Sequence, residues 1–233
     1  MLVLAVDTAT PAVTAGLVEL EQAAPDAATV AELRTVASRV RVDARAHAEV
    51  LTPQILECLT EAGRSRTDIA AVVAGVGPGP FTGLRVGMAT AAAFGDALGI
   101  PVYGVCSLDA IASDVFADGE FTADGELLVV TDARRREVYW ASYRAGTRVS
   151  GPDVIKPAAL DHGSAAAIAG SASHVDLFDL PVLPVETPSP AGLVRVAAAE
   201  LLARAVPEPL VPLYLRRPDA VENAYRSLDR TGA

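Results

Sequence analysis

Apolar runs with two different spacings divide the chain into predicted strands and helices. Three strand-like runs precede any helical pattern and predict an antiparallel meander: residues 2–6, 13–20 and 33–42. Residues 47–62 then carry apolar side chains at helical spacing, with Leu51 and Ile55 on one face and Pro53 inside the segment. Gly63 is the predicted end of this helix.

The next segment predicts a strand, a tight loop and a long helix. A β-branched run at residues 69–76 leads into a loop rich in Gly and Pro, and a helix begins near Thr82 or Gly83. This layout can aim backbone N–H groups at an anion. The loop has neither the G-x-G-x-x-G spacing nor a following Gly-Lys-Ser/Thr. A structural turn is therefore favoured over a phosphate or nucleotide site, whose candidates are Asp7, Thr8, Gly77, Gly79 and Thr82.

Small residues recur at every fourth position of that helix, which leaves one ridge almost bare of side chains: Gly83, Gly87, Ala91, Gly95 and Gly99. Each buried Gly costs about 1 kcal/mol of helix propensity relative to Ala. The ridge therefore predicts that another backbone comes very close. Two interpretations remain open: packing on the protein's own sheet, or a docking face for a partner helix. The second would include Gly83, Gly87, Ala91, Gly95, Leu51 and Ile55 as partner-binding positions.

The next predicted elements complete the first lobe and begin a second. A strand is predicted at residues 101–105, and Ser107 is the predicted N-cap of a helix that runs to Phe116. Polar residues 117–126 mark a boundary between lobes at 1–116 and 117–233, with a tail that can return to the first lobe. Beyond the boundary, a strand at 127–131, a turn at 132–137 and a strand at 138–143 repeat the Asp-bearing hairpin at Asp7. This pattern predicts an internal duplication. A strand at 166–170, a helix at 191–205 and an irregular Pro-rich tail follow.

Composition indicates a globular protein of acidic character. The 233 residues are 51% hydrophobic and 21% charged, with a net charge of −10. A protein that holds nucleic acid by itself usually shows a basic face. RNA contact is therefore expected to be indirect or confined to Arg134, Arg135 and Arg136, the one dense basic cluster. No signal peptide opens the sequence, and residues 89–105 are too interrupted for a membrane span, so a cytoplasmic location without membrane contact is expected.

Candidate catalytic residues are few. His47, His162 and His174 are not spaced as metal ligands, and no serine stands beside an evident base. Asp7 and Asp132 could act as bases or metal ligands, but turn formation explains both. The residues alone therefore predict neither a catalytic nor a metal site.

Six segments together resemble the TsaB (YeaZ) family of tRNA threonylcarbamoyladenosine biosynthesis proteins. The most specific is Gly77-Pro-Gly-Pro-Phe-Thr-Gly-Leu-Arg-Val-Gly87, in which Pro80 stands where the family usually has Ser. The others are Ala-Val-Asp-Thr-Ala-Thr10, His47-Ala-Glu49 with Pro53, Gly104-Val-Cys-Ser-Leu-Asp109, Asp132-Ala-Arg-Arg-Arg-Glu-Val-Tyr139 and Pro212-Leu-Tyr-Leu-Arg216. The resemblance covers nearly the whole chain.

The resemblance implies an α/β protein of the actin/Hsp70-like (ASKHA, RNase H-like) two-lobe fold, with a mixed sheet and flanking helices in each lobe. It implies a non-catalytic partner and activator of TsaD, the catalytic paralogue. With the ATPase TsaE, these proteins form N6-threonylcarbamoyladenosine at position 37 of tRNAs that read ANN codons. The implied partners are TsaD, TsaE and, in isolation, a second copy of the chain. ATP or ADP and a metal ion are expected to belong to TsaD and TsaE, with no cofactor bound by this chain alone.

The catalytic paralogue carries two metal-binding histidines at i and i+4 of a helix. Ser107 and Ile111 occupy the matching positions here, and neither can replace an imidazole ligand. The alternative is a stand-alone ATPase or a glycoprotease-like enzyme of the same fold. Whether a nucleotide lies at a shared interface, and which helix contacts which partner, stays open at this stage.

Overall fold

The computed structural model describes residues 1–22, 31–43, 47–119, 121 and 124–216. Within these ranges the strands are β1 Leu2–Asp7, β2 Ala12–Gln22, β3 Ala31–Val42, β4 Ile69–Gly75, β5 Val102–Val105, β6 Glu126–Asp132, β7 Val138–Arg144, β8 Thr147–Ile155 and β9 Ala165–Gly170. The helices are α1 His47–Glu61, α2 Phe81–Leu98, α3 Ser107–Asp118, α4 Ala172–Val175 and α5 Pro190–Ala203. The predicted boundary at 117–126 lies partly outside the described residues.

The first sheet has five strands in the order β3-β2-β1-β4-β5. The predicted meander is confirmed: β1 and β3 both pair antiparallel with β2. After α1 the chain returns as β4, which pairs parallel with β1, and β5 extends the parallel part. Leu51 and Ile55 of α1 are fully buried against this sheet. The parallel strands direct their carboxyl ends, and the loops after them, to one edge.

The second sheet repeats this topology with one strand fewer. Its order is β8-β7-β6-β9, with β6, β7 and β8 antiparallel and β9 parallel to β6. β1 and β6 both end on an aspartate that precedes a hairpin, Asp7 and Asp132. The repeated strand order supports the predicted duplication. β8 was not predicted, because most of its side chains are exposed and Gly151-Pro152 interrupts its sequence pattern.

Helices fill the space on both sides of the first sheet and between the two sheets. One face of the first sheet is covered by α1 and α2, and the opposite face by α5. α3 links the lobes: Leu108, Ile111 and Val115 pack on the second sheet, while Ala110 packs with α5 on the first. None of the helices in the described part of the chain is both long and apolar enough to cross a membrane.

The C-terminal segment returns to the first sheet. Ser189 caps α5 by accepting a hydrogen bond from the Gly192 amide at 2.9 Å, and Asp114 of α3 accepts bonds from the Ser189 backbone and hydroxyl. A Cβ at Gly192 would lie 2.6 Å from the Ala110 carbonyl oxygen, so α5 and α3 touch through backbone. Residues 204–216 form neither helix nor strand, as predicted, and Leu213 donates its amide to the Val76 carbonyl at 2.8 Å.

Asp7 ends β1 inside the protein, fully buried. One carboxylate oxygen accepts the Ala9 amide at 2.9 Å, which forms the predicted turn. The other accepts the Ser107 hydroxyl. The prediction of Ser107 as the N-cap of α3 is wrong: Ser107 is the first residue of the helix, and Cys106 is the N-cap. Burial removes water from the carboxylate and raises the pKa of Asp7 from 3.8 to about 6, although the Ser107 and Ala9 bonds oppose the shift.

The raised pKa predicts a pH-dependent loss of stability. Asp7 favours the folded state while it is protonated, and this contribution is lost as the pH rises from its unfolded value of 3.8 through about 6. In urea unfolding, the free energy of unfolding of Asp7→Asn relative to the wild type should rise by about 3 kcal/mol across this window.

Asp68→Asn is the matched control. The Ser65 amide and hydroxyl lower the pKa of this exposed carboxyl below 3.8. Between pH 3.8 and about 6, the free energy of unfolding of Asp68→Asn should therefore change with pH as that of the wild type does. Parallel pH profiles for Asp7→Asn and the wild type would contradict the assignment of a buried carboxylate.

Candidate functional site

The Gly/Pro loop after β4 packs directly on the turn between β1 and β2. A Cβ at Gly79 would lie 2.2 Å from the Ala9 carbonyl oxygen, and one at Gly75 would lie 1.7 Å from an Asp7 carboxylate oxygen. Gly77 has φ of +96°, a conformation that side chains disfavour. The glycines therefore let two turns of the protein touch each other. This packing favours a structural turn over a phosphate cradle at Gly77, Gly79 and Asp7.

The bare ridge of α2 faces inward. Thr8 donates its hydroxyl to the Gly83 carbonyl at 2.7 Å and accepts the Gly87 amide at 3.0 Å. A Cβ at Gly87 would lie 2.4 Å from this hydroxyl, and one at Gly95 would lie 2.3 Å from Val102. Ala91 is fully buried in the core under the first sheet. Close packing on the protein's own sheet and turn explains the small residues from Gly83 to Gly95. Gly99 is exposed and instead ends the helix with a φ of +65°.

The burial of these positions favours internal packing over the partner-binding prediction. Gly83, Gly87, Ala91 and Gly95 are covered by the chain's own turn and sheet, as are Leu51 and Ile55 of α1. The sequence shows which ridge is bare but not which way it faces, because internal packing and docking use the same spacing.

The outer flanks of α1 and α2 are exposed, and each carries a stripe of uncharged side chains. Charged residues lie beside these stripes: Glu49, Glu57 and Glu61 on α1, and Arg85 and Asp96 on α2. On α2, Ala89, Ala93 and Ala97 follow one another at four-residue spacing and are exposed. On α1, Leu56 is 46% exposed and Thr52 and Thr60 lie on the same side of the helix. Because the two helices pack side by side on one face of the sheet, they offer a shallow surface of small side chains on which another helix can lie.

A small cavity of about 160 Å³ lies between the lobes at the start of α2. Its lining includes Thr10, His47, Thr82 and Arg134, and the His47 ring nitrogen Nε2 lies 3.1 Å from the Thr10 carbonyl oxygen. Sites for ligands of drug size typically enclose about 300–1,000 Å³. The cavity can take a water molecule or a small anion, but a nucleotide is too large for it. Of the five candidate nucleotide-binding residues, Thr82 alone lines this cavity.

The positions that match the paralogue's metal-binding histidines are both buried. Ser107 is 1% exposed and its hydroxyl is bonded to Asp7, while Ile111 is fully buried in the core of the second lobe. Across the described ranges, no three His, Cys, Asp or Glu side chains are grouped as metal ligands. Cys106 lies beside Ser107, and burial raises the pKa of its thiol to about 12, which disfavours the thiolate.

The structure reveals one serine with a base that sequence reasoning missed. The Ser173 hydroxyl lies 2.9 Å from Nδ1 of His174, and Nε2 of His174 lies 3.5 Å from Asp132. The signal that the sequence offered is that Ser173 directly precedes His174. Ser173 is exposed on the single-turn helix α4, so its hydroxyl lies in solvent rather than in a water-excluding cleft. This geometry gives weak support to nucleophilic catalysis.

Comparison with known proteins agrees with this architecture. The family model described as TsaD, tRNA N6-adenosine threonylcarbamoyltransferase, matches residues 36–211. An uncharacterized protein of Mycobacterium tuberculosis (strain H37Rv) is 56% identical over 218 residues, which is 94% of this chain and 93% of that protein. TsaB of Escherichia coli K12, a tRNA threonylcarbamoyladenosine biosynthesis protein, is 36% identical over 110 residues, 47% of this chain and 46% of TsaB.

A solved structure extends the likeness to the whole fold. YeaZ from Pseudomonas aeruginosa superposes with a TM-score of 0.72 at 25% identity, covering 92% of this chain and 99% of YeaZ. The two sheets of repeated topology are those of the actin/Hsp70-like two-lobe fold. The chain therefore belongs to the family described as TsaD, tRNA N6-adenosine threonylcarbamoyltransferase, and groups within it with the TsaB (YeaZ) proteins.

Proposed function

We propose that this chain is a non-catalytic partner and activator of TsaD in forming N6-threonylcarbamoyladenosine at position 37 of tRNAs that read ANN codons. Family membership supports a role in this pathway. The observation that carries the partner role is the exposed stripe of uncharged side chains on the outer flank of each helix: Ala89, Ala93 and Ala97 on α2, and Thr52, Leu56 and Thr60 on α1. The apolar side chains on the inner faces of these helices are already buried, so the flank is free to receive a partner.

The environment of α3 supports the absence of catalysis by this chain. Ser107 is held by Asp7 and Ile111 by apolar neighbours, so the paralogue's metal-binding positions have structural roles here. Nucleotide and metal are proposed to be bound by TsaD and TsaE, which join this chain in a cytoplasmic complex. In isolation the same flank is proposed to pair with a second copy of the chain, which TsaD then displaces.

A stand-alone hydrolase is the second candidate, since the Ser173 hydroxyl is hydrogen-bonded to His174 and the far ring nitrogen of His174 lies 3.5 Å from Asp132. The exposure of Ser173 weighs against it. An ATPase has less support, because the cavity beside Thr82, one of the nucleotide candidates, encloses about 160 Å³ and is smaller than typical ligand sites.

A large charged residue on the outer flank should weaken the complex strongly without loss of stability. Ala93→Arg keeps helix propensity but places a long cation where a partner backbone must approach. We expect binding to TsaD of the same species to weaken by a factor on the order of 100, with an unchanged urea midpoint. Titration calorimetry and gel filtration measure the two partners' association. Val149→Arg on the exposed strand β8 (52% exposed) is the control and should bind normally.

Gly87→Leu tests the inner ridge separately. Its Cβ would meet the Thr8 hydroxyl at 2.4 Å and break both of its hydrogen bonds. The free energy of unfolding should fall by about 2–4 kcal/mol. A stable Gly87→Leu protein that fails to bind TsaD would indicate that the ridge itself is the docking face. It would contradict the assignment of TsaD binding to the outer flank.

Catalysis is tested by threonylcarbamoyl transfer to tRNA. The purified chain should show none, and addition of TsaD, TsaE and the threonylcarbamoyl donor should produce it. Ser173→Ala should leave the reconstituted rate unchanged. Transfer by the chain alone, or its loss in Ser173→Ala with the complex intact, would establish this chain as a catalyst.

A further inference from the structure

Two aromatic rings and an arginine form an ordered stack on the protein surface. Phe81, the first residue of α2, stacks on Tyr214 with ring centroids 5.4 Å apart and planes inclined by 27°. The Arg85 guanidinium lies 3.8 Å from the Phe81 ring centroid and its Nε donates to the Tyr214 hydroxyl at 3.0 Å. Phe81 and Tyr214 remain 53% and 45% exposed. Flat surfaces of this kind accept a nucleobase by stacking, on the aromatic ring or on the guanidinium plane.

Three consecutive arginines form the tip of the β6–β7 hairpin. Arg134, Arg135 and Arg136 are exposed and have φ values of 63°, 53° and 61°. The left-handed conformation costs roughly 1–2 kcal/mol for a residue with a Cβ, and Gly or Asn would suit the turn better. The turn therefore does not account for arginine at these positions. What arginine adds is positive charge, in a chain whose net charge is −10.

The stack and the hairpin tip belong to one face. Arg216, two residues after Tyr214, donates to the Ala133 carbonyl at 2.9 Å and pairs with Glu137 at 3.1 Å. Arg134 lines the cavity that also touches Thr82, the neighbour of Phe81. Carboxylates lower the positive charge of this face, among them Glu137, which pairs with Arg216, and Asp132, which lies 3.3 Å from Arg134. These pairs are partly exposed and exchange readily for phosphate.

We propose that this face binds a single-stranded segment of RNA. Bases stack on Tyr214 and the Arg85 plane, and phosphates pair with the arginines of the hairpin tip. An acidic protein segment would satisfy the arginines but would not use the flat aromatic stack. The inference rests on the proposed function, since the tRNA held by the TsaD complex supplies the RNA. The acidic remainder of the chain repels nucleic acid, so the contact is local, weak for the chain alone and sensitive to salt.

Fluorescence anisotropy tests the proposal with a fluorescein-labelled anticodon stem–loop of an ANN-reading tRNA. The RNA is titrated with the chain alone at low salt and with the reconstituted TsaD complex. Tyr214→Ala and Arg136→Ala should each weaken binding by about tenfold. Arg136→Ala should also lower the slope of log K against log salt by about one. Arg144→Ala, an exposed arginine at the far end of β7 paired with Glu126, should change neither quantity.

Gel filtration of each variant with TsaD separates this proposal from the proposed function. An intact complex whose RNA affinity is unaltered by Tyr214→Ala and Arg136→Ala would overturn the RNA face alone, as would an equal loss in Arg144→Ala. Loss of the TsaD complex in these two variants would assign the face to a protein contact. If wild-type protein forms no complex, the proposed function fails, and binding of the stem–loop by the chain alone still decides the RNA proposal.

Discussion

The fold depends on the close approach of the β1–β2 turn to the loop and helix that follow β4. Thr8 reaches into α2 and bonds both Gly83 and Gly87, while the Ala9 carbonyl lies against Gly79. A side chain at any of these glycines would push the turn and the helix apart. The helix propensity lost at each glycine, about 1 kcal/mol, is offset by buried hydrogen bonds and by dense packing around them. Asp7 extends the same junction to α3 through Ser107.

This junction also leaves little room for a phosphate at the loop. The carboxyl ends of parallel strands form a frequent ligand site, and a strand, a Gly loop and a helix meet at that edge. In this chain the protein's own turn fills the space that a ligand would need. Beside Thr82 a cavity of about 160 Å³ remains open, and the surfaces proposed for partners are the outer flank of the helix pair and the rim around Phe81.

Much of the fold could be predicted from spacing and turn residues. The meander, the β4–loop–α2 segment and the repeated Asp hairpin follow from patterns that local physics determines, and the structure confirms them. β8 could not be predicted, because an exposed edge strand has no apolar alternation. The direction of the α2 ridge, the bond from Ser107 to Asp7 and the stack of Phe81 on Tyr214 each join residues far apart in sequence. Pairings of that kind are set by the tertiary fold and leave no local signal.

The central claim is that the glycine ridge holds the lobe together while the opposite flank of the same helices binds TsaD. Amide hydrogen exchange with and without TsaD tests it most directly, because protection is read along the whole chain in one experiment. The account predicts slower exchange in α1 and α2 on binding, with no change in β8. Protection confined to β8 or the second sheet, with α1 and α2 exchanging as in the free protein, would contradict it.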